Sequence, residues 1–191
     1  NKKMNKLQEI WSTFNSILSQ IGTVAICGGA VRDTLMGREP KDYDLYVFNA
    51  PGAAWNDIAG QLKDKVSGFP KVKSIIATHK SEPFLVESIS YEDREIQIML
   101  RDCGTLEELV DTFDWNICLF AYDKNGVYKH PKAAKIENII PGGKLELNKI
   151  TYPYSTLRRG FRFSERFTMH LSKRTINKIM MAINDHNAKW H

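Results

Sequence analysis

The chain is 191 residues long, with 42% hydrophobic and 26% charged residues and a formal net charge of +5. That is the length of an ordinary domain with a small appendage, enough to bury a core without disulfide staples, and the composition excludes a disordered chain. No apolar run approaches the roughly 20 residues of a membrane helix, so no membrane partner is expected. The basic start, Asn1-Lys2-Lys3-Met4, leads into an amphipathic stretch and does not read as a secretory signal. Cys27, Cys103 and Cys118 are odd in number and widely spaced. They predict free thiols in a reducing, cytoplasmic setting, with no support for zinc.

An amphipathic helix is expected over residues 4–20, with Leu7, Ile10, Trp11, Phe14, Ile17 and Leu18 at helical spacing. Thr23–Cys27 reads as a buried strand ending at Gly28-Gly29, and Ala30–Met36 as a helix stopped by Gly37. Tyr43–Phe48 is a second strand, and residues 53–66 form a helix carrying Trp55, Ile58, Ala59 and Leu62 on one stripe. Strands follow at Ser74–Thr78, Phe84–Ser90 and Glu95–Leu100, then a short acidic helix at Leu106–Thr112, a strand at Asn116–Tyr122 and a turn at Lys124-Asn125-Gly126. Past Pro141-Gly142-Gly143 the chain turns basic, with helices near 154–168 and 172–187. From Lys144 onward there are ten Lys/Arg against three Asp/Glu, whereas the preceding residues hold seventeen against nineteen. A mixed α/β domain over 1–143 with a basic helical extension over 144–191 is therefore expected, and the extension's charge points to a polyanion partner or to a solvated helix face.

The stretch richest in chemistry is Gly28-Gly29-Ala30-Val31-Arg32-Asp33 followed by Lys41-Asp42-Tyr43-Asp44-Leu45. Two glycines between a strand and a helix let backbone N–H groups approach an anion, and Arg32 in the first turn offers a planar fork for phosphate. Asp42 and Asp44 stand two apart on a strand, so both carboxylates leave one face. Such a pair suits Mg²⁺, and two Mg²⁺ ions suit an in-line displacement of pyrophosphate.

The run Gly28–Leu45 resembles the head-domain signature of class II CCA-adding tRNA nucleotidyltransferases and bacterial poly(A) polymerases, within the DNA polymerase β superfamily. The resemblance implies triphosphate binding at Gly28 and Gly29, catalytic metal at Asp42 and Asp44, and phosphate contact at Arg32. Phe113-Asp114-Trp115-Asn116-Ile117-Cys118 is similar to the family's Arg-Arg-Asp-Phe-Thr-Ile-Asn and aligns Asp114 with its sugar-recognising aspartate. The paired arginines are absent there, and Cys118 replaces the final Asn. A capping role for Asp114 is the alternative. Leu157-Arg158-Arg159-Gly160-Phe161-Arg162-Phe163 resembles the family's neck helix, which implies nucleotide contacts for Arg158 and Arg162 and packing for Phe161 and Phe163. The superfamily's third carboxylate falls to Glu95, which reads equally as a surface glutamate, with Gln97 as a polar neighbour.

The implied fold is a polymerase-β-like head with a small helical neck. The implied function is Mg²⁺-dependent, template-independent transfer of a nucleoside monophosphate from ATP or CTP to the 3′ end of an RNA, tRNA first. The base-selecting Glu-Asp-x-x-Arg helix of those enzymes has no counterpart in the residues after Phe163. That leaves room for a protein or small-molecule acceptor, for a binding module without catalysis, or for a homodimer that extends the RNA surface. His79, His130, His170, His186 and His191 are scattered and receive no role.

Overall fold

The computed structural model describes residues 2–50, 55–68, 72–76 and 85–189. The chain divides into two compact units, Asn1–Leu109 with Phe120–Lys129, and Val110–Leu119 with His130–His191. The second unit thus begins well before residue 144.

In the first unit, α1 (Lys2–Leu18) places Leu7, Ile10, Phe14 and Leu18 on its buried face, the stripe that its sequence spacing prescribes. It is followed by β1 (Thr23–Cys27), α2 (Gly29–Leu35), β2 (Asp42–Phe48), α3 (Trp55–Ser67), β3 (Val72–Ile76), β4 (Leu85–Tyr91) and β5 (Arg94–Leu100). Beyond α4 (Leu106–Asp111) come β6 (Phe120–Asp123) and β7 (Gly126–Lys129). The seven strands form one mixed sheet in the order β3-β4-β5-β2-β1-β6-β7. β2 and β5 run parallel, and each other neighbouring pair runs antiparallel. Alternation divides the central strands into two faces. Tyr43, Leu45 and Val47 of β2 lie opposite Ile96, Ile98 and Leu100 of β5, and all six are buried. Trp11 is tied to β1 by its indole N–H, which donates to Val24 O at 2.9 Å. Thr78, Phe84, His79 and the Trp55 ring lie outside what is described.

The strand expected over 116–122 is shorter than its apolar run implies. Asn116 Nδ2 donates to Lys144 O at 3.0 Å, and Asn116 Oδ1 accepts Glu146 N–H at 3.1 Å. This two-sided clasp takes the chain through a short 3₁₀ turn, Asn116–Cys118, before β6 begins. The second unit ends in α5 (Pro153–Phe167) and α6 (Lys173–Lys189), which pack on each other. Ile179 and Ile183 of α6 are buried, whereas Met180 is exposed. All three cysteines are free, with Cys27 and Cys118 buried and Cys103 half-buried. Among the described residues no helix is long and apolar enough to cross a membrane.

Candidate functional site

The sheet register brings together two motifs that are separate in sequence. β1 and β2 pair with Cys27 opposite Asp44. Gly28 and Gly29 therefore leave the sheet beside the end of β2 that carries Asp42 and Asp44. Gly28 adopts φ 78° and ψ −134°, a conformation open to glycine and costly for any residue with a Cβ. The turn this creates lets α2 start at once, and Arg32 N–H donates to Gly28 O at 3.2 Å as the first helical bond. The expectation that both glycines offer amides needs correcting. Gly28 N–H already donates to Phe120 O at 2.8 Å, so Gly28 supplies conformation. The amides of Gly29, Ala30 and Val31 occupy the first helical turn, where no intrahelical acceptor exists.

Arg32 also departs from the picture of an exposed fork. It is 2% exposed, its Nε donates to Asp33 Oδ1 at 3.0 Å, and its guanidinium lies over Gly29. A Cβ at Gly29 would meet Arg32 Nη2 at 3.0 Å. In this arrangement the second glycine makes room for a buried cation that braces the bend and holds positive charge behind it.

The face of β2 opposite Tyr43, Leu45 and Val47 is polar at its start, with Asp42 and Asp44, before the buried Tyr46 and Phe48. Asp42 lies opposite Glu95, and Asp44 opposite Gln97, across the parallel β2–β5 pair. Asp42 is exposed and Asp44 half-buried. Glu95 Oε1 accepts from Ser88 Oγ at 3.0 Å and from Gln97 Nε2 at 3.3 Å, which orients it within the same face. Among the described residues no three His, Cys, Asp or Glu side chains close into a metal cage. Two aspartates on one strand face, one of them open to solvent, are nonetheless hard oxygen donors of the kind Mg²⁺ takes when water and phosphate complete its shell. Cys27 is different: burial pushes its thiol well up, and the carboxylates of Asp44 and Asp123 add to the shift. It stays protonated and inert beside the aspartates.

The second unit holds the other expected residues, and Asp114 is built into its frame. Asp114 Oδ1 accepts Trp115 N–H at 3.0 Å, Oδ2 accepts Thr156 Oγ1–H at 3.1 Å, and Arg159 Nη2 stands 3.5 Å from Oδ1. Trp115 is fully buried and donates its indole N–H to Thr156 O at 3.0 Å. Its ring lies against Gly160, where a Cβ would come within 2.5 Å of Cζ2. This clasp of Asp114, Trp115, Thr156 and Gly160 was not anticipated from the sequence, although a glycine in mid-helix is a signal that something packs there. Arg158 and Arg162 are exposed on α5. Phe161, expected to pack, is instead 50% exposed and lies on the same side as those arginines. His130, given no role, donates from Nε2 to Asp111 Oδ1 at 2.8 Å while its Nδ1 accepts Lys132 N–H at 2.9 Å.

A mixed sheet with a Gly-Gly bend against an Asp-x-Asp strand start is the fold of polymerase-β-type nucleotidyltransferase heads. Solved structures agree. A CCA-adding enzyme in an apo form matches with TM-score 0.66 and 17% identity, over 98% of this chain and 44% of that one. A CCA-adding enzyme with ATP matches with TM-score 0.64 and 16% identity, over 98% and 45%. The Thermotoga maritima CCA-adding enzyme complexed with tRNA-CCA matches with TM-score 0.62 and 17% identity, over 94% and 42%. The chain therefore spans less than half the length of these structures, and at such identities the likeness is one of fold. No curated protein sequence matches. The family model that matches, over residues 1–174, is that of the Gabija anti-defense 2 family proteins, and the chain belongs to that family. The resemblance to class II CCA-adding enzymes thus holds for the fold, while the family is another.

Proposed function

We propose that this protein is a nucleotidyltransferase that moves a nucleoside monophosphate from an NTP, ATP or CTP, to a hydroxyl acceptor. The observation that carries this reading is the β1–β2 register, which sets the Gly-Gly bend beside Asp42 and Asp44. Asp42 and Asp44 hold Mg²⁺, and Glu95 is available from the neighbouring strand. When bound, the metal supplies charge neutralisation at the phosphates. The first-turn amides of α2 receive the triphosphate, and Arg32 stiffens the bend from beneath and adds positive charge. On the second unit, the resemblance assigns sugar recognition to Asp114 and phosphate contact to Arg158 and Arg162. The acceptor oxygen forms a bond to the α-phosphorus, the bond to the β-phosphate oxygen breaks, and pyrophosphate leaves with its electron pair. The hydroxyl proton goes to solvent.

The neighbours of this fold support an RNA 3′ end, tRNA first, as the acceptor, and the basic α5–α6 segment favours it. The family match supports a second reading, in which the nucleotide is placed on a component of the Gabija defence. Incubating the full chain with Mg²⁺, each α-labelled NTP and either tRNA lacking its terminal nucleotides or the Gabija proteins separates the two. Label on lengthened RNA supports the first, and label comigrating with protein the second. Asp42→Asn and Asp44→Asn should abolish either product while the folded protein persists. Turnover undiminished in the folded double variant refutes the metal assignment, and absence of any NTP-dependent product or pyrophosphate release refutes the enzyme.

A further inference from the structure

One surface of the second unit carries more than the two arginines to which phosphate contact is assigned. On α5, Tyr154, Arg158, Phe161 and Arg162 recur at i, i+4, i+7 and i+8, which places them on one stripe of the helix. Its opposite side, with Pro153, Thr156, Gly160 and Phe167, is the buried one. The stripe faces solvent: Tyr154 is 53% and Phe161 50% exposed, and both arginines are exposed. Leaving two aromatic rings in water forgoes burial that such residues usually obtain. Neither arginine makes an ion pair with another described residue, so both charges are open. Tyr154 is held in place, since its hydroxyl donates to Asn187 Oδ1 of α6 at 3.0 Å. Glu165, one turn past Phe161, ends the stripe.

We propose that this stripe is a docking platform for single-stranded nucleic acid, with bases stacking on Tyr154 and Phe161 and backbone phosphates meeting Arg158 and Arg162. Bases present a π-face whatever their sequence, and phosphates follow at regular intervals, so alternating rings and cations fit a strand. Two helical turns separate the rings by about 10 Å along the axis, room for about three stacked bases at 3.4 Å each, with Arg158 between them. Charge complementarity selects this occupant over an apolar protein surface, which would leave two guanidinium groups buried and unpaired. The basic excess beyond Lys144 extends the same field. The platform needs neither NTP nor metal, and it stands whether or not the transfer reaction does.

The test is fluorescence anisotropy of the full chain with fluorescein-labelled single strands of about twelve nucleotides, oligo(U) and oligo(dT), and a duplex of equal length, without NTP or divalent ion. Phe161→Ala and Tyr154→Ala should each weaken strand binding by about 5- to 150-fold, the range stacking contributes per base, with the salt slope unchanged. Phe161→Trp should restore it. Arg158→Gln and Arg162→Gln should each lower the slope of log K against log salt by about 0.7. The tighter of the two strands names RNA or DNA as the ligand, and either supports the platform. Wild-type affinity in the folded Phe161→Ala and Tyr154→Ala variants overturns it, as does duplex bound as tightly as strand. Loss of self-association or of protein binding in Phe161→Ala, with strand affinity unmoved, overturns it too and makes the stripe a protein interface.

Discussion

Replacing Gly160 with alanine sets helix propensity against packing, and the structure fixes the winner. In the middle of α5 an alanine should stabilise the helix by about 1 kcal/mol relative to glycine. The added methyl, however, would stand 2.5 Å from Trp115 Cζ2, 3.1 Å from Cη2 and 3.2 Å from Cε2. Carbon atoms settle near 3.5–4.0 Å, so ring or helix must move by about 1 Å. Trp115 is fully buried, and its indole N–H is held by Thr156 O on the same helix. Retreat therefore either breaks that bond or drags α5 along. Overpacking of this kind costs about 1–3 kcal/mol, and an orphaned buried donor a further 1–3. The net is a loss of about 2 kcal/mol, or roughly 4–8 °C in melting temperature for a chain of this size. Differential scanning calorimetry of Gly160→Ala reads it directly. Trp115→Phe should absorb part of the clash, so the double variant should lose less than the two single losses combined. A melting temperature that rises in Gly160→Ala would show that the Trp115 contact does not constrain the helix.

Three other perturbations follow from the same geometry. Asp114→Ala removes the acceptor of Trp115 N–H and Thr156 Oγ1–H and the partner of Arg159. It should destabilise by about 2–3 kcal/mol, seen as a lower urea midpoint, while Asp114→Asn retains part of the bonding. Thr168, the cap of α5, sits at φ 53°, in the left-handed region that a β-branched residue resists. Thr168→Gly should raise the melting temperature by a few degrees, for a gain of about 1 kcal/mol. Asp111 is held below the usual carboxylate range by its hydrogen bond from His130, with burial opposing and Lys149 assisting. A depressed folded value means stability that is present above the unfolded carboxylate's value and is lost as pH falls through the folded one. The stability gap between wild type and Asp111→Asn should therefore hold near neutrality and close on acidification below about pH 4, in melts across that range.

What the sequence revealed, and what it hid, divides along a physical line. Periodicity is local, and it located α1, β1, β2, β5, α5 and α6 to within a few residues. The Gly-Gly and Asp-x-Asp motifs are local as well, and a strand's two-residue period was enough to put Asp42 and Asp44 on one face. Contacts between distant segments were not legible. Nothing near Gly28 says that its amide is taken by Phe120, ninety-two positions on, because that depends on β6 pairing with β1. Nothing near Asn116 announces its clasp on Lys144 and Glu146, which ends an otherwise strand-like run. Arg32 misled because an arginine beside a glycine-rich bend reads as a surface fork, and only coordinates show the space above Gly29 that admits it to the interior. Phe161 misled in the opposite sense, since an aromatic on a basic helix reads as packing until the buried side is seen to be occupied by Thr156, Gly160 and Phe167.

The exposed start of β2 poses a last physical question, namely what holds Asp42 in place when its own side chain is open to water. The answer lies in residues that carry no motif. The segment before it is fastened at three points: Lys3 Nζ donates to Gly37 O, Arg94 Nη2 to Glu39 Oε1, and Glu95 N–H to Lys41 O at 3.1 Å. Arg94 is fixed in turn by Glu92 O at 3.2 Å and by Tyr43, the buried residue between the two aspartates. Burial pushes the Tyr43 hydroxyl up, so it remains a neutral phenol beside the guanidinium. Lys6 of α1 closes the set by donating to Glu92 at 3.0 Å. An exposed carboxylate anchored through its backbone neighbours keeps its position without giving up its oxygens to the protein. That is the combination a residue needs if it is to hold a cation whose remaining ligands arrive with the substrate.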